Sequence, residues 1–137
     1  MSERTFLDTS VLLYAEDARE PAKRDRAQHL IRELVADQAA VVSTQVLQEF
    51  FVIATKKLKL PAAVAHDCVA TYAQLDVALV SPALVLAAIE LHRLHGLSFW
   101  DALIVRTAMD AGCTRLLSAD LQHERAFEAL VVENPFV

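Results

Sequence analysis

Short apolar runs separated by long stretches of helical periodicity constrain this chain more than any other feature. "RTFLD" (4 to 8), "AAVVS" (39 to 43), "VALVS" (77 to 81), "CTRLLS" (113 to 118) and "LVV" (130 to 132) are too short for helices and apolar enough to be buried on both faces. Their alternation with helical segments predicts an α/β fold, with a central, mostly parallel sheet of four to five strands and helices on both faces. Only two Gly and four Pro occur, and no repeat or biased segment divides the chain, so residues 1–137 are expected to form a single domain.

The intervening segments carry their own signals. In "PAKRDRAQHLIRELVADQ" (21 to 38), Pro21 suits a first helical position, and Ala27, Leu30, Ile31, Leu34 and Val35 form a stripe at helix spacing. Ser43 or Thr44 can cap "TQVLQEFFVIATKKLK", and Pro61 opens a helix with Val64, Ala65, Cys68, Val69 and Tyr72 on one side. A helix begun at Pro82 should stop at Gly96, and "SFWDALIVRTAMDAG" (98 to 112) should stop at Gly112.

In an open parallel sheet, ligands bind beyond the carboxyl ends of the strands. Asp8 ends the first apolar run, and Asp120 stands two residues past "TRLLS", so both fall on that rim. Each acid also has a plain structural explanation. Asp8 can cap the helix after it, Asp120 can serve a turn, Asp101 can complete a capping box with Ser98, and Glu49 can be a solvated helix acid. Helical geometry weakens the last two: Glu49 shares a face with Val46 and Ile53, and Asp101 with Ile104 and Val105.

Four carboxylates brought together raise one another's pKa and lose hydration, a conflict that a divalent cation resolves. Oxygen ligands favour Mg²⁺ or Mn²⁺, and no Cys/His set argues for zinc. Such an ion suits hydrolysis of a nucleic-acid backbone. The formal charge of −5 speaks against a nucleic-acid partner, but setting these four acids aside brings it to −1.

"TFLDTSVLLY", "STQVLQEFF", "GLSFWDALIV" and "LLSADLQHERAFEALVVENPF", in that order, resemble the PIN-domain ribonucleases, and most closely the VapC toxins of bacterial toxin–antitoxin pairs. The resemblance implies a PIN-like fold, a Mg²⁺- or Mn²⁺-dependent endoribonuclease acting on RNA, and a pocket of Asp8, Glu49, Asp101 and Asp120. Asp8 and Asp101 would be the principal metal ligands, with Glu49 and Asp120 completing the set directly or through water. Ser10 and Ser118 would help to position the acids or water. It further implies a homodimer and inhibition by a cognate VapB-type antitoxin. Where family members often have Glu before the last acid and Gly soon after, this chain has Ala119 and Glu124.

Two rival readings belong to other classes: a catalytically inactive binding or regulatory module of the same fold, and an aspartyl phosphotransferase with Asp8 as nucleophile. The second would want another Asp where Ser10 stands. No apolar stretch approaches the ~18 residues of a membrane span and no secretory pattern opens the chain, so a cytoplasmic protein without a membrane partner is expected. Cys68 and Cys113 read as buried free thiols. Two basic clusters, Arg19, Lys23, Arg24 and Arg26, and Lys56, Lys57 and Lys59, are candidates for phosphate contact, although lysines at a helix end also complement its dipole. His92 and His95 read as an exposed polar face, and Phe50, Phe51, Phe99 and Trp100 mostly as core or dimer contacts.

Overall fold

A computed structural model describes residues 3–137. Its elements follow the order β1 (Thr5–Leu7), α1 (Thr9–Ala15), α2 (Pro21–Ala36), β2 (Ala40–Ser43), α3 (Thr44–Lys56), α4 (Ala62–Tyr72), β3 (Asp76–Ala78), α5 (Pro82–His95), α6 (Phe99–Asp110), β4 (Arg115–Leu117), β5 (Ala126–Phe127) and β6 (Leu130–Glu133). The strands form one sheet in the order β3-β2-β1-β4-β6-β5, parallel except for the β5–β6 pair. Every consecutive residue of β1 and β2 is buried, so both faces of the sheet's centre are covered.

The predicted α/β architecture is thus present, with six strands among the described residues where four to five were expected. The addition is β5, two residues joined to β6 by a tight turn at Glu128–Ala129, too short to leave a periodic signal. The third strand is also shifted, to Asp76–Ala78, and Leu79 beyond it is exposed because β3 lies at the sheet's edge.

The core is built on Phe6 and Leu7 of β1, Val41 and Val42 of β2, Leu116 and Leu117 of β4, and Val46 and Phe50 of α3. Complete burial of such a side chain stabilises by roughly 1.5–3 kcal/mol. Phe50 meets Tyr72 edge to face at 5.4 Å and so fastens α3 to α4. The predicted stripes are narrower than expected. Ala27, Leu30 and Leu34 are buried in α2 and Ala65 and Tyr72 in α4, whereas Val35 and Val64 are exposed at the margins of their faces. Cys113 is buried and Cys68 half-buried; both are free thiols.

The expected caps are used. Ser43 accepts from the Val46 N–H and Ser98 from the Asp101 N–H, while Gly96 ends α5 at φ +69°, a left-handed conformation that glycine adopts without steric penalty. His92 and His95 are both exposed, as expected, with His92 engaged by the Leu97 carbonyl oxygen and the His95 ring packed against Phe127 at 5.2 Å. Phe50 is buried and Phe99 half-buried, but Phe51 and Trp100 are exposed. Among the described residues, no helix is long and apolar enough to cross a membrane.

Candidate functional site

The chain builds β1, β2 and β3 outward in one direction and then returns to lay β4 on the other side of β1. The crevice beyond the carboxyl ends of β1 and β4 is therefore the sheet's topological switch point. Asp8 follows β1 and Ser118 follows β4, with Asp120 two residues farther on.

Asp8 lies almost wholly out of solvent, with 7% of its surface exposed. One carboxylate oxygen accepts the Thr9 N–H at 2.8 Å, which makes Asp8 the N-cap of α1. The other accepts the Ser10 hydroxyl at 2.9 Å and the Ser118 hydroxyl at 2.7 Å. The helix cap and the acid of the crevice are thus the same side chain. Both serines are also tied to the second loop: Ser10 Oγ accepts the Ala119 N–H, and Ser118 Oγ accepts those of Asp120 and Leu121. Burial pushes the Asp8 carboxyl up to about 6; the Ser118 and Ser10 hydroxyls oppose the shift, Asp120 adds to it, and the Thr9 N–H opposes it.

The other three acids connect to this centre by different routes. Asp120 is exposed as a residue, yet its carboxyl is raised by partial loss of hydration and then by Asp101, with Lys57 acting in the opposite direction. Asp101 lies in the first turn of α6, where a carboxylate complements the helix dipole. Glu49, on α3, accepts the Thr9 hydroxyl at 2.9 Å. Asp120 is therefore coupled electrostatically to Asp8 and Asp101, while Glu49 reaches Asp8 through Thr9. Thr9 is a functional residue that the sequence does not single out, because its contact with Glu49 spans 40 residues of chain.

Among the described residues, no three His, Cys, Asp or Glu side chains converge as a ready-made metal cage. The donor set nevertheless fits Mg²⁺, which keeps several waters and is commonly held by only one or two carboxylates together with substrate phosphates. All four candidates offer hard oxygen atoms, and the repulsion of Asp120 with Asp8 and with Asp101 is what a cation would cancel.

Two shallow hollows border the acids. Trp100 and Glu49 line one of about 360 Å³, and Ser10 and Asp120 line another of about 260 Å³. A larger hollow of about 720 Å³ between α5, α6 and β5 contains none of the four acids. The 260 Å³ hollow also contains Asp17, a buried acid outside the predicted set; Arg19 holds its carboxyl below the usual range through paired hydrogen bonds. The C-terminal segment braces the same region, with Phe136 packed edge to face on Tyr14 of α1 at 4.8 Å.

Residues 5–128 match the PIN domain family. No curated protein matches the chain. Among solved structures, the fold is similar to VapC20 of Mycobacterium tuberculosis, a sarcin-ricin loop cleaving toxin. The TM-score is 0.67 and identity 23%, covering 85% of this chain and 91% of the other. A toxin–antitoxin complex from Klebsiella pneumoniae gives a TM-score of 0.69 at 16% identity, covering 96% and 97% of the two chains. VapBC2 from Rickettsia felis, bound to a DNA fragment from its promoter, gives 0.69 at 20% identity, covering 95% and 97%.

Proposed function

Because the chain belongs to the PIN domain family, we propose that it is a Mg²⁺- or Mn²⁺-dependent endoribonuclease and the toxin of a type II toxin–antitoxin pair. The observation that carries this reading is the meeting of Asp8 and Asp120, which leave adjacent strands at the switch point and repel one another there. The similarity in fold to VapC20 and to two toxin–antitoxin assemblies supports the toxin assignment. In this reading Asp8 and Asp101 are the principal metal ligands, and Glu49 and Asp120 complete the set directly or through water. RNA is the substrate, a VapB-type antitoxin the inhibitor, a homodimer the working form and the cytoplasm its compartment.

When bound, the divalent ion supplies charge neutralisation at the scissile phosphate and acidifies water in its shell. The chain's own residues supply the geometry. Ser10 and Ser118 fix the Asp8 carboxylate from one side and the Thr9 N–H from the other, so its orientation is set before any ligand arrives. Thr9 does the same for Glu49, and the first turn of α6 aims Asp101 from a rigid element. No His or Lys is needed as general base if acidified water is the nucleophile.

The test is cleavage of RNA with Mn²⁺ by the wild type and by Asp8→Asn, with chelator as a control. Metal-dependent cleavage lost in the variant is expected; equal behaviour of the two proteins would sink the nuclease reading. One observation favours the alternative of a catalytically inactive binding module: among the described residues, no three acids stand ready as a cage. That alternative predicts no cleavage at any metal concentration. The toxin assignment is checked separately, by whether the product of an adjacent small reading frame relieves growth arrest caused by this chain.

A further inference from the structure

The two basic clusters that stand apart in the sequence meet at one hollow of the fold. Ser10, Tyr14, Arg19, Ile53, Lys57 and Asp120 are among the residues that line its roughly 260 Å³. Ser10 and Asp120 also belong to the acid site, so the hollow opens directly from it.

Its two cations differ in what they are free to do. Arg19 is already committed: its Nε and a terminal nitrogen donate to the two carboxylate oxygens of buried Asp17 at 2.9 and 3.1 Å. Lys57 makes no ion pair within 4 Å among the described residues, and its charge acts on Asp120. Lys23 stands 4.9 Å from the centre of the Tyr14 ring, adding positive charge at the same border. Complementing the α3 dipole does not require Lys57, because Lys56 occupies the last turn without lining the hollow.

A polyanionic strand crossing Asp8, Asp101 and Asp120 meets three like charges, and an uncommitted ammonium beside them offsets that repulsion at the neighbouring backbone position. We propose that this hollow is a subsite for the RNA phosphate next to the scissile one, bound by Lys57 with Asp17-held Arg19 as the second cation. The inference rests on the nuclease reading above. It makes Lys57 an affinity residue without base preference and leaves Lys56 and Lys59 as solvent-facing charges.

The experiment is binding of a short single-stranded RNA to the full chain carrying Asp8→Asn, measured by fluorescence anisotropy across a salt series. Adding Lys57→Gln should weaken binding about tenfold and reduce the slope of log affinity against log salt by about 0.7, the value for one lost phosphate contact on a single strand. Lys57→Arg should retain most of the affinity, and Lys56→Gln, with the same change in charge one residue away, should change it less than about twofold. Unchanged binding by Lys57→Gln, or an equal loss in Lys56→Gln, overturns the subsite while leaving the nuclease reading in place. Failure of the parent protein to bind RNA at all overturns both.

Discussion

The Ser118 hydroxyl donates a 2.7 Å hydrogen bond to the carboxylate of Asp8, across 110 residues of sequence and between the ends of two adjacent parallel strands. The same oxygen accepts the backbone N–H groups of Asp120 and Leu121. One buried hydroxyl thus sets both the orientation of Asp8 and the path of the loop that carries Asp120.

Ser118→Ala should therefore cost about 2 kcal/mol of stability, because it strands buried backbone donors as well as removing a bond to a charged group. It should also raise the Asp8 pKa further, since that hydroxyl favours the ionised form. Urea denaturation measures the first effect. The second is expected as a shift of the acid limb of the pH–rate profile to higher pH.

Asp8 makes the metal-free protein pH-sensitive in a definite direction. Its pKa is about 6 in the folded chain against 3.8 for the ordinary group, so the native state holds the proton more tightly than the unfolded state. Stability should fall as pH rises from about 4 through 6, by roughly 3 kcal/mol in total. In Asp8→Asn that slope should be absent and the melting temperature at pH 7 higher than in wild type. Mn²⁺ should raise the melting temperature of the wild type well above its effect on the variant.

Thr9→Val keeps the shape of the side chain and removes its hydrogen bond to Glu49. Loss of this orienting contact should weaken metal affinity or activity by about 10- to 100-fold. Calorimetric titration with Mn²⁺, with folding checked by circular dichroism, reads the effect. A Thr9→Ser variant should recover most of it.

Glu124 sits at φ +68°, in the left-handed region, with its side chain exposed. It occupies the loop after Asp120 where members of the resembled family often carry glycine. Glu124→Gly should stabilise the fold by at most about 1 kcal/mol, the relief of backbone strain being partly offset by glycine's greater freedom when unfolded. Thermal melts should show a rise of roughly 2–4 °C for that gain.

The rim position of Asp8 and Asp120 was legible because a buried parallel strand leaves a continuous apolar run, and the residue that ends it is easy to locate. The inward tilt of Glu49 was legible from Val46 and Ile53 at helical spacing, but its partner Thr9 was not, since no pattern in the sequence reports a contact across 40 residues. Two basic clusters could be seen, but not that they share a hollow or that Asp17 already holds one of their arginines. Strand β5 escaped because two residues cannot display a period, and the exposure of Val35 and Val64 escaped because periodicity marks the axis of an apolar face better than its edges.

The placement of β4 beside β1 also has a consequence for the timing of synthesis. A ribosome delivers Asp8 and Glu49 long before Ser118 and Asp120, so a growing chain carries an unfinished crevice until β4 and the loop after it have been made. In the proposed nuclease, harm to the cell's RNA is therefore withheld until those residues have been added, and a message broken before the codons for β4 yields a fragment lacking Asp120.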